Sequence, residues 1–295
     1  MKIIERSNID IIKWNKLVDI TPDSSVFSYS WYLDSTAQNW CVLVNEDYSK
    51  GIALPYTIHF GVKVLHTPIF VRYIEWLGIE VDFKSIDEII RSNFSNIHIS
   101  IKQPLLGDNY KSCTFQKIPF NTDRNISKQA NRSLKKAINK DLNIEKSINY
   151  FGVESIIKSE LKGKFSGINK SSIKILSNLF KQAQNENNIL VYEIKDFGGI
   201  VCVNHNNTIL YLKGALINSH KKMGGMYMCM DRAINEAIKE GKTFDFGGSK
   251  IDGVKKFNNN LGGKDFTYFE YTFDNTPIWF KLARSINRKW IKKLF

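Results

Sequence analysis

The sequence predicts an α/β (α+β) fold made of two similar units, each a mostly antiparallel mixed sheet flanked by helices. Three observations carry that expectation. One order of periodic segments occurs twice: two helices, three strands, a helix, a strand, a connector and a last strand. The 295 residues, 43% hydrophobic and 13% aromatic, supply one large core or two smaller ones. No apolar run reaches the length of a membrane span, so no spanning helix is expected.

In the first half, Ile9 to Val18 has helical spacing behind a capping Ser7 or Asn8. A short helix, Ser30 to Ala37, follows the Pro22-Asp23 turn. Trp40 to Val44, Gly51 to Phe60 and Val62 to His66 are apolar runs with turn breaks, read as a strand meander. Ser85 to Ser92 is a helix, then Ile97 to Ile101 and Tyr110 to Ile118 are strands. In the second half, Val153 to Leu161 and Ser171 to Asn187 are helices. Ile189 to Ile194, Gly199 to Asn204 and Ile209 to Leu216 form the second meander. A long helix, Met223 to Glu240, stops at Gly241; strand Thr243 to Phe246, helix Val254 to Asn258 and strand Phe266 to Phe273 complete the order. The polar segment Ile118 to Asn125, with Pro119, is the expected junction, giving domains 1–120 and 121–275 and a C-terminal helix over 276–295.

Charge is divided as unevenly as the elements are evenly. Residues 1–120 hold 12 Lys+Arg against 13 Asp+Glu, and residues 121–295 hold 30 against 16. A one-sided basic field suits an anionic partner: phosphates, nucleic acid or an acidic membrane surface. Within it, Ser127 to Asn143 reads as a basic helix, with Ala130, Leu134, Ala137 and Ile138 on one face and Lys128, Arg132, Lys135, Lys136 and Lys140 around the rest. The C-terminus places Trp279, Leu282, Ala283, Ile286, Trp290 and Leu294 on one side of a helix carrying six cations and no acid. That helix either lies on an anionic membrane, grips RNA phosphates, or docks on its own domain with a solvated basic face. Cys41, Cys113, Cys202 and Cys229 form no CxxC pair, and the five histidines have no metal-ligand spacing. No metal site or disulfide framework is expected. The charged N-terminus, MKIIERSNID, is not a secretory signal, and a cytoplasmic location follows as the expectation.

The most informative segment is Thr243 to Gly263, TFDFGGSKIDGVKKFNNNLGG. A buried strand ends in a carboxylate, bare backbone and a hydroxyl, which is where α/β proteins build sites. This signature, NRSLKKA from Asn131, and the LYLKGAL strand with its following long helix resemble the FemAB-like group of the GNAT acyltransferase superfamily over Asn131 to Tyr271. The first half matches more weakly, through VFSYSWYL and LHTPIFVRYIEWLG. The resemblance implies two tandem GNAT-type domains and transfer of an acyl or aminoacyl group to an amine. Characterised members add amino acids to peptidoglycan precursors from aminoacyl-tRNA, and others modify envelope or polysaccharide components. It further implies a splayed strand, here Tyr211 to Leu216, and a helix N-terminus, here His220 to Gly225, facing donor phosphate. The coenzyme A loop of simple GNAT enzymes, [QR]-x-x-G-x-[GA], is met by Lys221-Lys222-Met223-Gly224-Gly225-Met226, with Met in the last place. Where the aminoacyl-tRNA branch has Phe-Lys, this chain has Phe257-Asn258.

On that basis Asp245, Lys213 and Ser249 are the candidate catalytic residues. Asp245 either deprotonates the acceptor amine or caps the glycine turn, and Ser249 either binds an acceptor oxygen or caps the next turn. Lys213 either meets a phosphate or donor carbonyl, or protects a strand edge. Lys221, Lys222, Gly224 and Gly225 are the candidate donor-phosphate residues; for the glycines the alternative is close packing at a helix entry. Arg72, Tyr211, Gly247, Gly248 and Phe257 are the candidate substrate-binding residues, with Arg72 paired to Glu75 and Tyr211 packed as the plain alternatives. Tyr211 is expected on the same strand face as Lys213. The expected protein is a cytoplasmic transferase, peripheral at the inner membrane face, acting on an anionic or lipid-linked envelope precursor. It uses acyl-coenzyme A or aminoacyl-tRNA as co-substrate, with no tightly bound cofactor and no stable protein partner. The competing reading is a non-catalytic RNA- or membrane-binding protein that keeps the fold.

Overall fold

The structure is a computed structural model and describes residues 1–79, 83–104, 110–161, 170–248 and 251–293. In chain order the strands are β1 (Lys2–Glu5), β2 (Asn39–Val44), β3 (Gly51–His59), β4 (Val62–His66), β5 (Trp76–Leu77), β6 (Asn96–Ile101), β7 (Tyr110–Ile118), β8 (Glu145–Ser147), β9 (Ile189–Ile194), β10 (Gly198–His205), β11 (Thr208–Leu216), β12 (Thr243–Asp245) and β13 (Lys264–Asp274). The helices are α1 (Ile11–Ile20), α2 (Ser30–Thr36), α3 (Phe83–Asn93), α4 (Lys128–Ile138), α5 (Phe151–Leu161), α6 (Lys170–Asn185), α7 (Asn218–Lys222), α8 (Gly225–Lys239), α9 (Asp252–Asn260) and α10 (Ile278–Lys293). The fold is mixed α/β, as the periodicity predicts.

The chain forms two compact units. Unit 1 comprises Met1–Thr21, Ala37–Cys113 and Tyr268–Phe295; unit 2 comprises Pro22–Thr36 and Thr114–Thr267. In unit 1, β1 to β4 form an antiparallel meander, β4 pairs with β6 in parallel, and Phe269–Asp274 of β13 closes on β6 antiparallel. Unit 2 repeats this sequence of pairings. Strands β8 to β11 form the meander, β11 pairs with β12 in parallel, and Lys117 and Ile118 of β7 close on β12 antiparallel.

Two departures from a contiguous division follow. The closing strand of each sheet comes from the other half of the sequence, and Pro22–Thr36 joins unit 2, where α2 packs against α6. Strand β7 reads correctly as a strand, but its partner is set by which edge offers unpaired N–H and C=O groups, not by chain proximity. Edge strands β1 and β8, short and partly polar, escape the periodicity analysis.

Each unit has its own core. Unit 1 packs Leu43, Leu54, Trp76, Ile97, Ile99 and Tyr271 with Ile86, Ile90 and Phe94 of α3 and its flank. Unit 2 packs Tyr192, Ile200, Cys202, Ile209, Phe244 and Phe246 beneath Cys229, Met230, Ala233, Ile234 and Ala237 of α8. The two alanines let α8 approach the sheet closely, and their spacing is the helical period. The cap of α1 is Asp10, whose Oδ1 accepts from the Lys13 N–H at 3.1 Å, and not the expected Ser7 or Asn8. The long helix expected over Met223 to Glu240 is α8, Gly225–Lys239, and Gly224 is the residue that caps its start. Gly224 has φ +89, and a Cβ there would lie 2.3 Å from the Ser133 carbonyl oxygen of α4. Close passage of α4 therefore forces a left-handed residue, which divides α7 from α8.

Of the expected apolar side of the C-terminal helix, the side chains of Ile286, Trp290 and Leu294 lie outside the described residues, and Trp279 and Leu282 do not dock. The helix buries Phe280 at 1% exposure and leaves Trp279 and Leu282 at 54% and 58%.

Candidate functional site

The site begins where β11 and β12 part. Their parallel pairing runs from Thr208↔Thr243 to Leu210↔Asp245. Beyond that point β12 ends, while Tyr211–Leu216 continues with pairing to β10 only. The backbone edge of β11 that faces away from β10 therefore loses its strand partner here, in the stretch expected to be splayed.

Side-chain direction on β11 is set by a β-bulge. Leu210 pairs with Val203, Tyr211 with Cys202 and Lys213 with Val201, leaving Leu212 as the extra residue. Successive residues of β10 point to opposite faces, so Tyr211 and Lys213 do as well. The expectation that they share a face is overturned. Tyr211 follows Cys202 and packs against the apolar cluster under α8. Burial there pushes its phenol well above the ordinary range. Lys213 follows Val201 to the opposite face, the face of Val203 and its partner Leu210.

Asp245 is the register partner of Leu210 in β11 and of Lys117 in β7. The bulge therefore turns Lys213 onto the face that carries Asp245 and Lys117. Without it, Lys213 would point under α8. Asp245 is buried at 6% exposure, and its flanking Phe244 and Phe246 point into the core on the other side. Its Oδ1 accepts from the Gly247 N–H at 2.9 Å, so the turn-capping role is real. Lys213 has no ion-pair partner among the described residues. Burial alone lowers its pKa below the ordinary lysine value, making it a readier proton donor than a surface lysine. Lys117 was not singled out from sequence. A lysine in a half-polar strand gives no signal until β7 is known to join β12. Its ammonium sits 4.4 Å from the Phe266 ring centroid.

The turn after Asp245 is rigid. Gly247 and Gly248 have φ +76 and +79, and a Cβ on Gly247 would come within 2.4 Å of the Tyr211 carbonyl oxygen. Ser249 lies outside the described residues. Behind the turn runs a polar chain, buried at Asn258 and Gln116 and reaching the surface at Asp265 and Lys255. Asn258 Nδ2 donates to Gln116 Oε1 at 3.0 Å, and Gln116 Nε2 donates to Asp265 Oδ1 at 3.0 Å. Lys255 Nζ reaches Asp265 at 2.7 Å and Thr114 Oγ1 at 3.1 Å. Asn258 is 2% exposed, so the position that holds lysine in the aminoacyl-tRNA branch is structural here. Phe257 packs on Tyr227, ring centroids 4.6 Å apart, and against the same apolar cluster. Arg72 belongs to unit 1, is 9% exposed, and lies over the Tyr73 ring at 4.9 Å.

The Gly224 Cβ direction is closed by the Ser133 carbonyl, and that of Gly225 by the His220 carbonyl at 2.9 Å and by Ile194 and Leu216. Both glycines serve close packing at the helix entry. Lys221 is tied to Glu160 at 2.6 Å, while Lys222 is exposed. Helix α4 supplies a broader anionic attraction in the same unit. Lys128, Arg132, Lys135, Lys136 and Lys140 are all exposed and have no acidic partner among the described residues.

Comparison with solved structures bears on the fold. The structure of FemX superposes with a TM-score of 0.65, covering 93% of this chain and 98% of that one at 10% identity. The chain has the fold of FemX. L-PGS from Bacillus licheniformis matches with a TM-score of 0.52 at 11% identity, covering 93% and 95% of the two chains. A GNAT-family acetyltransferase from Colwellia psychrerythraea matches at 0.52 and 10% identity, covering 93% and 100%. The two-unit α/β fold expected from the sequence is thus a fold shared, along nearly the whole chain, with FemX, L-PGS and this acetyltransferase. No protein-family model and no curated protein matches the sequence.

Proposed function

We propose that the protein is a transferase that moves an acyl or aminoacyl group onto an amine of a cell-envelope or polysaccharide precursor. The observation that carries this reading is the half-buried Lys213, which has no ion-pair partner among the described residues and is turned by the bulge onto the face of Asp245, beside the β11 edge that β12 leaves. Such an arrangement supplies what amine acylation needs. The Asp245 carboxylate accepts the proton that the acceptor ammonium loses. The freed amine attacks the donor carbonyl carbon, and the oxyanion is met by the Lys213 ammonium and by N–H groups of the β11 edge. The new C–N bond forms, the ester or thioester bond of the donor breaks, and the leaving group takes up a proton.

The donor is either acyl-coenzyme A or aminoacyl-tRNA. Close packing at the Cβ positions of Gly224 and Gly225 leaves only their backbone to meet a donor phosphate. The exposed cations of α4 favour a larger polyanion. The fold shared with FemX and L-PGS is consistent with this class of donor and with a lipid-linked acceptor.

Binding of acetyl-coenzyme A and of charged and uncharged tRNA, each at low and moderate salt, tests the reading together with Asp245→Asn. Discrimination of charged from uncharged tRNA supports aminoacyl transfer, and saturable, salt-resistant coenzyme A binding supports acyl transfer. Asp245→Asn is expected to lower turnover by about 100-fold or more and leave anion binding unchanged. Full turnover in this variant removes Asp245 from the mechanism. Salt-sensitive tRNA binding indifferent to charging, with no transfer, leaves a non-catalytic binding protein.

A further inference from the structure

Unit 1 carries a surface that the transfer chemistry does not use. Helix α10 seats itself through Phe280, which meets Phe60 of the β3–β4 hairpin edge-on at 6.4 Å and Trp279 at 5.8 Å. Around that anchor, Ile278, Trp279 and Leu282 of the helix and Ile58 and Phe60 of the hairpin point outward, all more than half exposed. Five large apolar side chains left in water on one rim call for a covering partner.

The same helix is flanked by positive charge. Residues 275–295 contain six cations and no acid. Lys281 and Arg284 line an open cleft of about 450 Å³ with His98, Asp274 and Ser285. Asp274 is the one acid there. Its Oδ1 is taken by the Thr276 N–H at 3.0 Å and is 3.9 Å from Lys281, which leaves the cleft a net cationic mouth.

We infer that this face seats unit 1 on an anionic lipid bilayer, with Ile278, Trp279, Leu282 and Phe60 entering the interface and Lys281 and Arg284 meeting lipid phosphates. Aliphatic side chains decide between a bilayer and RNA. Ile58, Ile278 and Leu282 gain nothing from phosphates or base stacking, but they gain from the acyl boundary. An apolar ridge flanked by cations is complementary to an interface that is apolar inside and negative outside. No helix of the described residues is long and apolar enough to cross a membrane, so the contact is one of surface insertion. The inference stands whether or not the protein is a transferase.

Co-sedimentation of the full chain with vesicles tests it, using phosphatidylcholine alone and phosphatidylcholine with 30% phosphatidylglycerol. The wild type should bind the anionic vesicles at least ten-fold more tightly. Trp279→Ser/Leu282→Ser should weaken that binding ten-fold or more, and Lys281→Gln/Arg284→Gln should remove the preference for anionic lipid. These residues sit on the surface, and circular dichroism of each variant confirms that the fold is intact. Quenching by brominated lipid gives a second readout that Trp279→Phe should diminish. Equal binding to both vesicle types overturns the inference, as does a Trp279→Ser/Leu282→Ser variant that binds like the wild type. Loss of tRNA binding in Lys281→Gln/Arg284→Gln with vesicle binding intact assigns the surface to nucleic acid and also overturns it.

Discussion

Replacing Gly247 by alanine tests the geometry on which the candidate site rests. Gly247 has φ +76, and its added Cβ would stand 2.4 Å from the Tyr211 carbonyl oxygen, where ordinary contact begins near 3.4 Å. The chain must therefore retreat by about 1 Å. Tyr211 cannot yield easily, because β11 is held along its length by the β10 ladder. The turn moves instead, and the Gly247 N–H leaves the Asp245 carboxylate it now caps at 2.9 Å. A left-handed alanine costs about 1–2 kcal/mol, and losing a hydrogen bond to a buried charged group costs about 1.5–3 kcal/mol. Gly247→Ala should thus destabilise by about 2.5–5 kcal/mol. Gly241→Ala in the same unit is the control. Gly241 also has positive φ, +67, but nothing lies within 4 Å of its Cβ position. It should lose only the conformational part, about 1–2 kcal/mol. Urea denaturation followed by circular dichroism measures both, and the difference should move the midpoint by about 1 M. Midpoints that agree within experimental spread would show that the turn has room to shift. The Gly247 N–H would then not be what fixes the Asp245 carboxylate on the face it shares with Lys213.

Other expectations follow from the same surroundings. Gln116→Leu leaves the buried Asn258 amide without its acceptor and should cost about 2–3 kcal/mol; the double change Gln116→Leu/Asn258→Leu should recover part of it, read from the same denaturation curves. Burial lowers the folded-state pKa of Lys213, so between that lowered value and the ordinary lysine value the unfolded chain binds more protons than the folded chain. Stability should accordingly rise with pH through that alkaline window, and Lys213→Met should flatten the rise and stabilise the protein below it. A pH profile of the urea midpoint that is the same in both proteins removes the desolvated lysine from the account. If Lys213 meets the oxyanion, Lys213→Met should at the same time lower kcat by about 100-fold, so gain of stability and loss of turnover appear together.

Much of this protein is written locally. Alternation of apolar residues marks β9 at Ile189–Ile194, β7 at Tyr110–Ile118 and the doubled order of elements, because period and turn chemistry act over a few neighbouring residues. Asp245, Lys213 and the glycine turn were also legible, since a carboxylate and a lysine inside apolar strands have few ordinary reasons to be there. What faces what was not. The bulge at Leu212 reverses the direction of Lys213, and it exists only as a mismatch of register with β10. Lys117 enters the constellation only because β7 closes the sheet beside β12. That Gly224 is needed because α4 passes against it shows only in the tertiary structure. Trp279 and Leu282 share a helical side that the sequence marks as apolar, but their exposure depends on Phe280 being the residue that docks. Composition and period fix the kind of element and the residues available to it. Register, strand partnership and the choice of buried face are settled by contacts between segments far apart in the chain, where edge hydrogen bonds and core packing are shared.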